Sequence, residues 1–322
     1  MKKPPDQRGL FRAYDSMRFE VTTLGTGAAL AARGRYPSAQ LLNVRERLFL
    51  IDCGEGTQER LRQAQVNFGR IARVLISHMH GDHYLGLMGL ISSMHLQGRN
   101  LPLAIHGPTE LREVIELQLR VSRTYLRYPL QFHAVEHVSG SPVFKDERVE
   151  VTALALNHRI PSTGFFFKER EQPRRLRKES VEEIPHYARK DVKAGKDLVL
   201  PDGRIVPNAE LTLDPPPQRS YAYCSDTAYS PELVPFLEGV DLLYHEATFT
   251  EALVARAKET MHSTAKQAAM LARDAHAHRL LLGHFSSRYK DVEQLREEAL
   301  AVFPETIMAE EGHTFTVGGV GQ

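Results

Sequence analysis

Residues 77–87 read SHMHGDHYLGL and place three histidines and an aspartate within six positions, in a chain whose 322 residues hold 15 histidines. Imidazole and carboxylate together suit zinc or a similar borderline cation. A strand ending at Ser77 would set His78 and His80 on one face of the loop that follows, because alternate residues point the same way. Asp82 and His83 come next, on a tight turn that Gly81 permits. Four candidate ligands exceed what one tetrahedral catalytic ion takes from a single loop, so the spacing points to two ions. The competing reading is a polar loop whose histidines bind no metal.

A two-ion site needs ligands from elsewhere in the chain. Four residues stand at the ends of strand-like stretches: His158 in LALNHRIPSTGF, Asp226 in YAYCSDT, His245 in LLYHEATF and His284 in RLLLGHFSSR. Singly, a histidine at a strand end is more often a hydrogen-bonded structural residue. Their recurrence in a chain with the loop cluster favours a shared site, since α/β proteins build sites where strand ends gather on one sheet edge.

The elements that must hold these residues alternate between strand and helix. RFEVTTLGTGAAL reads as a strand entering a glycine turn, and AQLLNVRERLFLIDCGEG as two strands joined at Arg45-Glu46-Arg47. TQERLRQAQV has helical spacing, and IARVLISH is a short strand that delivers the cluster. Residues 84–97 read as helix, LPLAIHGP as strand and TELREVIELQLRV as helix. Strands follow near 130–136, 149–157 and 163–167. After the strand YAYCSD come DLLYHEA, TAKQAAMLARDA and RLLLGHF, and then a polar tail. LGTGAAL shares two glycines with a dinucleotide fingerprint, but Leu30 stands where the third belongs and no helix follows, so a turn beneath the metal site is the better reading.

Composition narrows the class. The formal charge is +1, so nucleic-acid contact must come from local patches. Two cysteines, Cys53 and Cys224, cannot make a disulfide framework and read as buried thiols of a reducing cytoplasm. No apolar run approaches the roughly 18 residues of a membrane span. The opening MKKPPDQRGLFRAYDSM has no apolar stretch of secretory type, and MRFEVTTLGTG from Met17 itself has the form of a start. From Lys168 to Arg204 the chain carries eleven Lys or Arg against eight Asp or Glu and few large apolar residues. Alone, that stretch reads as a solvated insertion with little core of its own.

HMHGDH is the H-x-H-x-D-H signature of the metallo-β-lactamase superfamily, and the rest of the chain resembles its ribonuclease Z branch, the tRNA 3′-processing endonucleases. LGTGAALAARGRYPSAQLL resembles that branch's first strand and loop, and LFLIDCGEGTQERL its second strand pair and helix. SDT, HEATF, HSTAKQAA and GHFSSRY follow in the family's order, so nearly the whole chain is covered. The resemblance implies an α/β fold, the four-layer αβ/βα sandwich with an inserted basic arm. Residues 1–167 and 214–322 would form the sandwich and 168–213 a tRNA-binding arm. It assigns His78, His80 and His158 to one zinc ion, Asp82, His83 and His284 to the second, and Asp226 to both. Mn2+ or Fe2+ would also suit these ligands. Two ions about 3.5–4 Å apart can acidify water and neutralise charge growing on phosphorus. Asp82 would also take the nucleophile's proton, and His245, with seven positions filled, becomes structural.

The leaving-group side has its own candidates. His262 precedes Ser263 and Thr264, good capping residues, and so sits at a helix start. It could donate to the scissile phosphate or protonate the departing ribose oxygen, with Glu246 orienting it. Arg288 suits a phosphate clamp, a surface ion pair being the alternative. His95, His106, His133, His137, His186, His276, His278 and His313 match no motif. In the arm, Arg174, Arg175, Arg177, Lys178, Arg189, Lys190, Lys193 and Lys196 could meet phosphates without reading bases. A glycine-proline pair usual near the family's arm tip is absent from EIPHYARKDVKAGK.

The expected function is therefore removal of 3′ trailers from tRNA precursors by a cytoplasmic homodimer, with no membrane association. The alternatives are a general phosphodiesterase or 3′-exoribonuclease of the same superfamily, a non-phosphate hydrolase, and a non-catalytic RNA binder. The last two make little use of His262 and Glu246 or of a complete ligand set.

Overall fold

The computed structural model describes residues 18–318, so the segment ending at Met17 lies outside the described residues. The first strands are β1 (Phe19–Gly25), β2 (Ala39–Val44) and β3 (Arg47–Ile51). Their alternation is apolar on both faces, because both faces are covered. In β3, Leu48 and Leu50 pack outward while Phe49 and Ile51 pack inward. The turn between β2 and β3 is Arg45-Glu46, with φ of +51° and +69°. Two left-handed residues make the primed turn that matches strand twist, and Asn43 Oδ1 accepts the Glu46 amide at 2.8 Å.

The chain continues through α1 (Thr57–Gln63), β4 (Ile71–Leu75), α2 (Gly81–Tyr84), α3 (Leu87–Leu96), β5 (Leu103–Gly107), α4 (Thr109–Val121) and β6 (Leu130–Ala134). A second group of strands opens with β7 (Pro142–Lys145), β8 (Val149–Leu156) and β9 (Ser162–Glu169). Next come β10 (Arg175–Leu176), α5 (Arg189–Lys193), β11 (Leu198–Val199), β12 (Ile205–Val206), α6 (Asn208–Leu211) and β13 (Thr212–Leu213). The last stretch holds β14 (Ser220–Cys224), α7 (Val234–Leu237), β15 (Leu242–Glu246), α8 (Val254–Thr260), α9 (Ala265–Asp274), β16 (Leu280–Gly283), α10 (Glu293–Leu300), β17 (Thr306–Met308) and β18 (Thr314–Thr316).

Two mixed seven-stranded sheets result, ordered β18-β1-β2-β3-β4-β5-β6 and β17-β16-β15-β14-β9-β8-β7. In the first, β3 to β6 are parallel and the rest antiparallel; in the second, β14 to β17 are parallel. Phe19, Phe49 and Leu75 of the first sheet meet Phe165, Tyr221 and Leu281 of the second in a core between them. Leu90 and Ile115, from α3 and α4, cover the outer face of the first sheet. Ala268 and Leu295, from α9 and α10, cover that of the second. Helices, sheet, sheet and helices make four layers.

The expected polar tail after RLLLGHF is instead structure. α10 packs on the second sheet, β17 extends it, and β18 pairs with β1 to extend the first. Strands of three residues at sheet edges bury too little to leave a period in the sequence.

Chain contacts divide the molecule into two compact units, residues 1–168 with 219–322, and Glu169–Gln218. The smaller unit has a core of its own: Ile184, Val192, Leu198 and Leu211 are buried, with Leu176, Leu200 and Val206 against them. The buried Asn208 side chain donates to the carbonyls of Val192 at 2.7 Å and Lys196 at 2.8 Å. This corrects the reading of a stretch with little core. Its apolar residues are few and widely scattered, and two-residue strand pairs bring them together.

One backbone packing sets the metal loop. The Cys53 amide donates to His83 O at 2.7 Å and the Gly86 amide to Cys53 O at 2.8 Å. A Cβ on Gly86 would lie 2.2 Å from Gly54 O, and one on Gly54 would lie 2.4 Å from Asp82 O. Gly86→Ala must therefore push two backbone segments apart. We expect it to cost about 2–3 kcal/mol, read as a lower melting temperature by calorimetry. An unchanged melting temperature would show that the segments separate freely.

Candidate metal centre

Three strands that end at the site hand over a side chain by a sharp backbone turn. Asp52 follows β3 with φ +55°, Asp226 lies just beyond β14 with φ +58°, and His284 follows β16 with φ +56°. These left-handed conformations are costly for residues with a Cβ and are found where function demands a direction. The loop after β4 and the start of α2 supply His78, His80, Asp82 and His83. His158 comes from the turn between β8 and β9.

The seven expected ligands converge in two groups. His78, His80, His158 and Asp226 form one, and Asp82, His83 and His284 form the other. Asp226 stands between them with one oxygen toward each. Its Oδ2 is 3.7 Å from Nε2 of both His78 and His158. Its Oδ1 is 3.2 Å from His83 Nε2 and 3.0 Å from His284 Nε2. Asp82 Oδ2 closes the second group, 3.5 Å from His83 Nε2 and 3.6 Å from His284 Nε2.

The donor set fits two cations. His83 Nε2 and His284 Nε2 are buried without a hydrogen-bond partner. They lie close to Asp226, but not in hydrogen-bonding geometry. Buried polar atoms normally find partners, and two nitrogens grouped with the Asp82 and Asp226 carboxylates are placed as a metal ion would need them. Burial opposes charge on His284, but Asp226 and Asp82 outweigh it and push its pKa up to about 10. Burial likewise disfavours the Asp226 carboxylate, yet His284 and His83 hold it well below the usual range. A cation taking these ligands displaces imidazole protons.

A second layer fixes the ligands. Asp52 is fully buried and was not singled out from the sequence. Its Oδ2 lies 2.7 Å from His83 Nδ1 and accepts from Tyr223 Oη at 2.7 Å and Ser77 Oγ at 2.9 Å, while Oδ1 accepts the Ser77 amide at 2.8 Å. This holds Nε2 as the free nitrogen of His83. Thr248 Oγ1 lies 2.9 Å from His284 Nδ1 and donates to Glu246 Oε2 at 2.6 Å. The Met261 carbonyl is 2.9 Å from His158 Nδ1, and the Ala29 amide donates to Asp82 Oδ2 at 2.8 Å. The sequence signal for Asp52 was a carboxylate ending the apolar run LFLI.

Glu246 and His262 meet as expected. Glu246 is fully buried, with Oε1 2.8 Å from His262 Nδ1 and accepting the Thr227 amide at 2.7 Å. Burial lowers the His262 pKa, but the Glu246 carboxylate outweighs it and the net shift is upward. A protonated imidazole beside two cations' ligands can give up a proton. His262 also groups with Asp226 and His284, but its Nδ1 is committed to Glu246. His245 is buried on β15 with Nδ1 2.8 Å from the Glu246 carbonyl, outside every ligand group among the described residues. Arg288 donates from Nε to Ser286 Oγ at 3.1 Å, and its guanidinium lies 5.0 Å from the Phe249 ring centroid. It lines the same cavity of about 450 Å³ as His80, Asp82, Asp226, His262 and His284. The remaining histidines stay out of the site. His106 and His133 stack on each other at 4.7 Å, and His95 Nδ1 accepts the Arg127 amide.

Because Asp52 would reach a metal ion only through His83, Asp52→Ala should loosen metal without removing a ligand. We expect a 10–100-fold weaker zinc affinity in competition with a chromophoric chelator. Unchanged affinity in a folded variant would exclude the orienting role.

Known proteins match this arrangement over most of the chain. Ribonuclease Z of Bacteroides thetaiotaomicron is 44% identical over 302 residues, 93% of this chain and 96% of that protein. Ribonuclease Z of Porphyromonas gingivalis is 46% identical over 295 residues, 91% and 97% of the two chains. Among solved structures, the short form of human tRNase Z matches with a TM-score of 0.67 at 29% identity, covering 93% of this chain and 99% of its own. The metallo-β-lactamase fold protein YhfI from Bacillus subtilis has the same TM-score at 19% identity, covering 93% and 99%, which speaks to the fold alone. A family profile described as the anti-Pycsar protein Apyc1 matches residues 19–172, a span that ends before Asp226, Glu246, His262 and His284. The fold is that of the metallo-β-lactamases, and the chain belongs to the ribonuclease Z family.

Proposed function

We propose that this metal centre cuts tRNA precursors endonucleolytically and removes the 3′ trailer, leaving a 3′-hydroxyl on the tRNA. The observation that carries the reading is Asp226, one carboxylate facing both ligand groups, in a chain alike to ribonuclease Z over 93% of its length. His78, His80 and His158 would hold one ion, Asp82, His83 and His284 the other, and Asp226 both. Two cations held there would supply Lewis acidity toward the phosphoryl oxygens and acidify water. We assign zinc on the nitrogen-rich ligands, with Mn2+ or Fe2+ as substitutes.

The protein's own groups do the rest. Asp82 accepts the proton of the attacking water, whose oxygen adds to phosphorus. The P–O3′ bond breaks, its electron pair stays on the ribose oxygen, and that oxygen takes a proton from His262. Glu246 holds His262 in the orientation and charge state for this transfer. Arg288, steadied by Ser286 and Phe249, binds a phosphate oxygen at the cavity mouth.

The basic insertion serves tRNA binding through phosphates. The eight cations expected to meet phosphates divide into two kinds. Arg174 pairs with Asp214 at 2.6 Å, Arg189 donates to the Val181 carbonyl at 2.7 Å, Lys196 pairs with Asp191 at 3.1 Å, and Arg177 reaches the Ala209 carbonyl at 3.5 Å. Arg175, Lys178, Lys190 and Lys193 are exposed and make no side-chain bond among the described residues. These four are the phosphate contacts, and the first four brace the unit. A cytoplasmic homodimer completes the reading on the family likeness alone. Among the described residues no helix is long and apolar enough to cross a membrane.

An end-labelled precursor with a 3′ trailer tests the reaction. We expect one cut beside the discriminator base, lost with chelator and absent in Asp82→Ala, which still binds the precursor. A ladder of shortened products would move the protein to the exonucleases. Changing Arg175, Lys178, Lys190 and Lys193 to glutamate should raise KM for the precursor at least tenfold and flatten its salt dependence. An unaltered KM would remove these four from the tRNA contacts.

A further inference from the structure

A second cavity of about 510 Å³ adjoins the metal cavity, and His262 is the one side chain that lines both. Its walls are Tyr229, Val254, Ala255 and Met261, with Asn157 and Lys258 beside them. Tyr229 stands three residues past Asp226, and Met261 directly precedes His262. The loops that build the catalytic edge thus also build this space. Its size is that of a small-ligand pocket. Nothing in the cleavage step described above requires it.

The chemistry of the cut bears on what this cavity would hold. His262 has Nδ1 committed to Glu246, so its other nitrogen serves the departing oxygen. That oxygen is O3′ of the nucleoside on the 5′ side of the scissile phosphate, while the phosphorus stays with the trailer. The nucleoside bonded to the departing oxygen lies on the leaving side of the phosphate, and the space that adjoins the metal cavity at His262 is this second cavity.

We infer that the second cavity receives the discriminator nucleoside, with its base against Tyr229 and Met261. This rests on His262 as the proton donor. An aromatic ring stacks on any base, because every base has a π-face. A thioether adapts to bases of different outline. The wall is thus suited to holding the last nucleotide of the tRNA firmly without demanding one identity. The cavity is a positioning subsite that places O3′ at His262.

The test couples the base to the wall. Precursors are made with the discriminator base intact or replaced by an abasic residue, and a third with the abasic residue on the first trailer nucleotide. In the wild type, loss of the discriminator base should lower kcat/KM about tenfold, the scale of one base–aromatic stack. In Tyr229→Ala the same loss should cost less than about threefold. Ala255→Trp, at an exposed position of α8, fills the cavity and should also shrink the difference. A merely structural change would depress all three substrates alike and leave the tenfold ratio in place, which would overturn the assignment. Coupling of Tyr229 to the trailer base instead would overturn it too. A wild type that leaves the intact precursor uncut defeats the endonuclease reading itself, and the cavity assignment with it. That failure is visible before any variant is compared.

Discussion

The structure turns on a single carboxylate. Asp226 is almost wholly buried, and its two oxygens face two different sets of imidazoles. An isolated charge there would be expensive, as would that of the fully buried Asp52 and, to a lesser degree, that of the partly buried Asp82. Two divalent cations would resolve this, giving Asp226 and Asp82 an opposite charge and the inward nitrogens of both ligand groups a partner, while Asp52 is satisfied by His83, Tyr223 and Ser77. The same cations are what a phosphodiester would need as charge builds on phosphorus, so on the proposed function one device would answer both demands.

Holding that arrangement demands rigidity from the backbone. Three site residues sit in left-handed conformations immediately beyond strands that are hydrogen-bonded on both sides. The sheets absorb the cost, because a strand buried on both faces cannot shift its end. The glycine contacts between residues 53–54 and 82–86 act likewise by bringing backbone against backbone where no side chain fits. Ligand positions are set by backbone packing, part of it on the ligands' own backbone at Asp82 and His83, and the second layer of Asp52, Ser77, Tyr223 and Thr248 only has to choose which ring nitrogen faces inward.

Much of this was legible in the sequence, for physical reasons. His78 to His83 announce themselves because ligands on one loop must be close in sequence. Asp226 and His284 were found because each follows an apolar strand. Asp52 was missed as an orienting group because its partners, His83 and Tyr223, are distant in the chain. The Ala29 amide that holds Asp82 left no side-chain signal at all. β18 and the small core of Glu169–Gln218 were also invisible, since a few apolar residues without a period look like loop. The second cavity could not be read from sequence, because Tyr229 and Val254 become neighbours only when α8 folds back beside the loop after β14.

The most direct test of the central claim is an anomalous difference map collected at the zinc edge from crystals of the zinc-loaded protein. The account predicts two peaks roughly 3.5–4 Å apart, with one oxygen of Asp226 toward each. One should lie among His78, His80 and His158 and the other among Asp82, His83 and His284. A single peak, or a second ion that does not touch Asp226, would contradict it.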